Sequence, residues 1–185
     1  MGKSIQAVIL AAGLGSRLGN LTKDVPKAMV KFNNKEIIFY QISILLSLGI
    51  KDILIVSGYK SEVLKNFLKK NFDISSFIFV TNNIFETTNS AYSLNLIRQM
   101  ITSDPYIHIN NDILFTKNLL CEIIDSNYKN CISVRKDLKL DDKMENVSAD
   151  ENKRIIEMSL KSTNRSLFKA YGLAKISQQA LNSNI

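Results

Sequence analysis

"VILAAGLGSRLGNLTKDVPKAM", residues 8–29, joins an apolar run to a turn with three glycines, an arginine and, shortly after, a Pro-Lys pair. Residues 6–12 read as a strand covered on both faces of a parallel sheet, because the run is apolar nearly throughout instead of alternating. The glycines that follow let backbone N–H groups approach an anion closely. Arg17 adds a fixed charge, and Pro26 delivers Lys27. The stretch therefore reads as a phosphate cradle, with an ordinary tight βα turn as the bland alternative. It is not a dinucleotide fingerprint: Gly13 and Gly15 fit G-x-G-x-x-G, but Gly19 falls one place late. The second strand also ends in Ser57-Gly58, with no acid for a ribose. Nor does "GLGSRLGN" align with a Walker A loop.

Outward from this loop the chain alternates between strand and helix patterns. Residues 36–48 are apolar nearly all round and read as a buried helix stopped by Gly49. "DILIVSG" (52–58) is a second buried strand. Residues 61–70 form an amphipathic helix with Val63, Leu64, Phe67 and Leu68 on one face. "FIFVTN" is a third strand, and the polar "NIFETTNS" opens a helix over 91–101, with Thr87, Thr88, Asn89 and Ser90 as candidate N-caps. "YIHINNDILF" is a fourth strand, 117–125 a helix and "CISVRK" a fifth strand. Polar residues run from Asp137 to Glu151, and "KRIIEMSL" and "KAYGLAKIS" then read as two shorter, antiparallel strands. Repeated βα units imply an α/β fold, a mostly parallel open sheet with helices on both faces and a small mixed C-terminal part. Ligands then bind at the C-terminal strand ends.

The chain has 185 residues, 45% of them hydrophobic, and no composition break, which suits one domain over 1–185. Its net charge of +7 comes from scattered Lys and Arg. Such a surface suits anionic small molecules and argues against nucleic acid, with RNA binding as the weaker reading. Cys121 and Cys131 have no metal-ligand spacing and read as buried thiols of a reducing compartment, the cytoplasm. The apolar start is too short for a membrane span. Assembly as a homodimer is left open.

"LAAGLGSRLGNLTKDVPKAMV" resembles the signature of nucleotidyltransferases that join an NTP to a phosphorylated small molecule, the sugar-phosphate nucleotidylyltransferases and phosphocholine cytidylyltransferases. "NNKEIIFYQISILLSLGIKDILIVSGY" is similar to that family's next helix and strand. "TTNSAYSL" resembles the Asn-rich turn of its choline-phosphate cytidylyltransferase branch. The resemblance implies a Rossmann-like nucleotidyltransferase fold in which Ala11, Ala12, Gly13, Gly15, Ser16 and Arg17 wrap base and phosphates. It further implies that Arg17 and Lys27 neutralise the triphosphate and that Asn89 and Ser90 lie near base or ribose. Asp112, ending the "INND" strand, is implied as the Mg²⁺ ligand, although Asn111 departs from the family's Gly; a solvated helix-capping Asp is the alternative. Lys161 resembles the lysine that holds the acceptor phosphate, against a solvent-facing lysine. The family also takes a second metal ligand from a later acidic pair, and no acid follows Glu157 here. Either the sequence is C-terminally incomplete or one carboxylate suffices.

The expected activity is Mg²⁺-dependent transfer from an NTP, CTP on the "TTNSAYSL" likeness, to phosphocholine or a related phosphate, releasing pyrophosphate. A sugar-1-phosphate nucleotidylyltransferase using UTP, dTTP or GTP, or a non-catalytic nucleotide-binding protein of the same fold, are the alternatives. His108, the only histidine, reads as a core residue. Asp141, Asp142 and Glu145 read as a solvated loop. Tyr92 and Tyr171 are core residues or line the acceptor pocket.

Overall fold

A computed structural model describes residues 5–183, apart from the Arg17 side chain. In chain order the elements are β1 (Ala7–Ala11), the hairpin β2 (Lys31–Phe32) and β3 (Lys35–Glu36), α1 (Ile37–Ser47), β4 (Ile53–Ser57), α2 (Ser61–Asn71), β5 (Phe77–Thr81), α3 (Ser90–Ile97), β6 (Tyr106–Asn110), α4 (Lys117–Asp125), β7 (Cys131–Arg135), β8 (Asn146–Ala149), β9 (Ile155–Ser159), β10 (Phe168–Ile176) and α5 (Gln178–Ser183). The main sheet runs β5-β4-β1-β6-β10-β8-β9, with β7 also paired to β10. Strands β5, β4, β1 and β6 are mutually parallel. β10 turns back antiparallel to β6 and carries β7 and β8, both antiparallel to it.

β1 and β4 are apolar at nearly every position because helices cover both faces. Ala7, Ile9, Ile53, Ile55 and Ile107 pack against Ile38, Ile42 and Leu45 of α1, Leu64 and Leu68 of α2, and Leu120 and Ile123 of α4. Their neighbours Val8, Leu10, Leu54, Val56 and Tyr106 face Ile97 of α3 and Leu181 of α5. Each fully buried aliphatic side chain contributes about 1.5–3 kcal/mol relative to exposure, so these two layers dominate the stability of the fold.

From β1 the chain moves outward to β4 and β5, then returns to place β6 on β1's other side. The order therefore reverses between β1 and β6, and parallel sheets open a ligand crevice at that switch point. The register sets Leu10 of β1 beside Asn110 of β6, and Ala11 beside Ser57 of β4. The glycine loop, the Asn111-Asp112 turn and the end of β4 thus meet at one edge.

Several boundaries differ from the sequence reading. The expected helix over 91–101 starts at Ser90 and gives way after Ile97 to a tight turn, Arg98–Met100. The expected long strand "YIHINNDILF" stops at Asn110. β8 lies inside the stretch read as polar loop, since pairing with β9 and β10 buries Asn146 and Ser148 without an apolar pattern. Val63 is 38% exposed, leaving Leu64 and Leu68, with the partly buried Phe67, to make the α2 contact. Cys121 and Cys131 are unpaired but only half-buried. Among the described residues no helix is long and apolar enough to cross a membrane.

Two titratable groups of β6 are withdrawn from water, Tyr106 fully and His108 in part. Burial pushes the Tyr106 hydroxyl up to about 12, and its oxygen has no partner. His108 keeps a buried, unpartnered Nδ1, and burial holds its imidazole below the usual histidine range. The unfolded chain therefore binds a proton that the folded one resists, so His108 favours folding above its unfolded value of about 6.5 and disfavours it below. Thermal melts should show stability falling as pH drops from 7 towards 5.5, and His108→Gln should flatten that slope. An unchanged slope in the variant would assign the effect elsewhere.

Candidate active site

A cleft of about 520 Å³ opens at the switch point, lined by Ala12, Gly13, Gly15, Ser16, Lys27, Asn89, Ser90 and Asp112 among others. Of the site residues expected from sequence, Ala11 and Lys161 do not line it. Ala11 is fully buried on the opposite face of β1. Lys161 is exposed on the segment after β9. The Arg17 side chain lies outside the described residues.

The loop after β1 is held open by its own backbone. Gly15 adopts φ +66°, and a Cβ there would lie 3.0 Å from Thr22 Cγ2 and 3.1 Å from Lys27 Cβ. Only glycine suits both the left-handed conformation and that approach. Thr22 Oγ1 donates to the carbonyls of Gly15 and Gly19 at 3.1 and 3.2 Å, tying the loop off behind Lys27. A tight turn from Lys27 to Met29 follows Pro26 and aims the lysine across the cleft. There its ammonium donates to the Asp112 carboxylate, both groups being partly exposed.

The opposite wall was only half legible. Asn89 caps α3, its Oδ1 accepting from Tyr92 N at 3.2 Å, so the positive end of the helix faces the cleft. Behind it Asn82, 1% exposed, organises the whole turn. Its Nδ2 donates to Thr88 Oγ1 at 2.9 Å and Ser93 Oγ at 3.2 Å, and its Oδ1 accepts from Ile84 N at 3.0 Å. Asn82, Thr88 and Ser93 line the cleft, as do Phe85, Asn110 and Asn111. In sequence Thr88 stands out only as a candidate cap and Asn111 only as a departure from the family's Gly, and Asn82, Phe85, Ser93 and Asn110 are not singled out there.

A second arm, about 560 Å³, adjoins the first at Asn110 and Asp112. Arg135, Lys143, Glu145, Leu160 and Tyr171 are among its walls. Gly172, at φ +92°, lets Asn110 lean across the junction; a Cβ there would lie 2.6 Å from Asn110 Nδ2. The acidic loop read as merely solvated is anchored. Lys169, 1% exposed, donates from Nζ to Asp141 Oδ1 at 3.1 Å and to the Met144 carbonyl at 3.0 Å. Asp142 Oδ1 accepts from Ser162 N at 2.8 Å, joining this loop to the segment carrying Lys161. The Lys143 backbone N–H and the Lys169 ammonium hold the Asp141 carboxyl below the usual range. Tyr171 donates its hydroxyl to the Leu114 carbonyl, and the Arg135 guanidinium lies over its ring, 5.8 Å from the centroid.

Gly15→Ala should cost about 1–3 kcal/mol of folding free energy in urea denaturation, from backbone strain at a left-handed position. It should also weaken nucleotide binding by displacing Lys27. Wild-type stability in this variant would show that the loop relaxes freely.

Known proteins resemble the chain in sequence and in fold. A 49% identical stretch of 89 residues, 48% of this chain, is shared with CTP:phosphoglutamine cytidylyltransferase of Campylobacter jejuni, and 38% identity over 107 residues, 58% of the chain, with choline-phosphate cytidylyltransferase of Streptococcus pneumoniae. These matches span 34% and 45% of the two relatives' own lengths. The fold matches the inositol-1-phosphate CTP transferase of T. maritima with a TM-score of 0.79 and 24% identity, covering 98% of this chain and 74% of that one. The structure of CTP:phosphocholine cytidylyltransferase from Streptococcus pneumoniae matches at 0.69 with 25% identity, covering 97% and 74%. Residues 6–182 match the family model described as Nucleotidyl transferase. The chain therefore belongs to the nucleotidyl transferase family.

Proposed function

We propose that the protein transfers a nucleotidyl group from an NTP, CTP in the first instance, to a phosphorylated small molecule and releases pyrophosphate. The observation that carries this reading is the position of Asp112 and Asn110 in the walls of both arms, with Lys27 reaching Asp112 from the glycine loop. One arm suits a base and triphosphate; the other suits the acceptor. An acceptor phosphate oxygen attacks the α-phosphorus, the bond to the bridging oxygen breaks, and pyrophosphate leaves with that electron pair. The attacking group is already anionic, so no strong general base is required, and catalysis rests on positioning and charge neutralisation. Lys27 and Arg17 neutralise the triphosphate, while the α3 N-terminus with Asn89 and Ser90 meets the nucleoside. The CTP reading draws support from the two cytidylyltransferase relatives.

Among the described residues no group of three or more His, Cys, Asp or Glu forms a ready-made metal cage. Mg²⁺ commonly uses one or two carboxylates together with substrate phosphates and water, so Asp112 beside a triphosphate site fits it. Bound there, the ion would offset charge on the phosphate oxygens. Lys27 exchanges Asp112 for phosphate when nucleotide enters.

The second arm favours an acceptor other than a quaternary ammonium. Tyr171 is the single aromatic residue lining it, and the Arg135 guanidinium lies over its ring. A cationic head group would need an open aromatic face. A phosphorylated sugar, polyol or amino-acid derivative meets the arm's polar walls better, and Lys161, next in sequence to the wall residue Leu160, is the proposed contact to the acceptor phosphate.

Pyrophosphate release measured with each NTP, Mg²⁺ and a panel of phosphorylated acceptors tests this. Asp112→Asn should lower turnover about a hundredfold or more while the protein stays folded. Lys27→Met should raise the nucleotide KM. A folded protein that binds NTP but turns over none of the acceptors would favour a non-catalytic nucleotide-binding role.

A further inference from the structure

The buried face of α1 is formed by Ile38, Gln41, Ile42 and Leu45. This i, i+3, i+4, i+7 stripe faces an apolar core, where leucine would be the ordinary occupant of position 41. Gln41 is 1% exposed. Its Nε2 donates both hydrogens, to the Asn110 carbonyl at 2.9 Å and to the Ile113 carbonyl at 2.8 Å. Its Oε1 is buried without a partner. A buried amide with one unsatisfied atom is costly, so the two bonds it does make need a reason.

The two acceptor carbonyls bracket Asn111 and Asp112. One planar amide therefore spans the turn from the last residue of β6 to the residue after Asp112 and fixes its width. Resting on the proposed nucleotidyl transfer, we infer that Gln41 is a positioning residue: through the backbone of Asn110 and Ile113 it aims the Asp112 carboxylate at the junction of the two arms. Gln41 does not touch the cleft itself. Partners one step behind a metal-facing carboxylate commonly matter about tenfold or more to affinity or rate.

Gln41→Met keeps the length and apolar bulk and removes both donors. Three readouts are taken against wild type, with Lys175→Met as a matched control. Lys175 is 3% exposed and makes a comparable clamp, donating to the carbonyls of Ile124 at 3.0 Å and Ser126 at 2.6 Å, away from the cleft. Gln41→Met should speed amide hydrogen exchange across residues 110–113. It should weaken Mn²⁺ binding, measured by electron paramagnetic resonance with NTP present and acceptor absent, about tenfold, and lower kcat similarly while the NTP KM stays within about twofold. Lys175→Met should lose thermal stability with Mn²⁺ affinity unchanged. Should Gln41→Met fail to fold, Gln41→Asn, which keeps the amide but is one methylene too short to span both carbonyls, is read the same way.

Wild-type exchange, Mn²⁺ affinity and kcat in a folded Gln41 variant would overturn the assignment, as would equal Mn²⁺ losses in the Lys175 control. Absence of Mn²⁺-nucleotide binding and turnover in the wild type would instead sink the proposed activity, and the exchange data would still decide the clamp.

Discussion

The parallel pairing of β1 with β4 on one side and β6 on the other is the constraint from which the site follows. Because both pairings are in register to their C-terminal ends, the loop after β1 and the turn after β6 emerge side by side. Opposite charges, Lys27 and Asp112, meet across that gap. Removing the apolar cover from either face of these strands would loosen the register, and with it the distance between the groups that handle phosphate. Packing and chemistry are linked here through the backbone, since neither Lys27 nor Asp112 lies in the core.

Around this centre the protein repeatedly uses one buried polar side chain to hold several groups of an irregular segment. Gln41 spans the Asp112 turn, Asn82 knits the turn before α3, and Lys169 anchors the loop that walls the second arm. Each fixes an irregular segment that has no ladder of its own, where a purely apolar core would leave polar groups unpaired. The site thus stands on loops, but loops whose ends are fastened to the rigid layer beneath.

The strands and helices of the parallel half were legible because their signals are local: continuous apolar runs for β1 and β4, a glycine stop after α1, and a cap at Asn89. The glycine loop and Asp112 stood out because each follows the end of a strand, and Lys27 because it follows Pro26 in a stretch that resembles the family signature. β8 was not, because "NVSA" has no apolar pattern and is a strand only through its two neighbours. Asn82, Gln41 and Lys169 also escaped, since a lone amide or lysine in sequence carries no sign of which groups it will meet in the fold. Asp141 and Asp142 read as solvent-facing acids until folding placed Lys169 and Ser162 beside them. Polar pairing that only the folded chain creates is the common element in what was missed.

The central claim is that attack falls on the α-phosphorus of the nucleotide held between the glycine loop and α3. Parallel reactions with CTP radiolabelled at the α- or the γ-phosphate, Mg²⁺ and a phosphorylated acceptor test it most directly. The account predicts that the α-label joins the acceptor in a pyrophosphate-linked product and that the γ-label leaves as pyrophosphate. Transfer of the γ-label to the acceptor would contradict it.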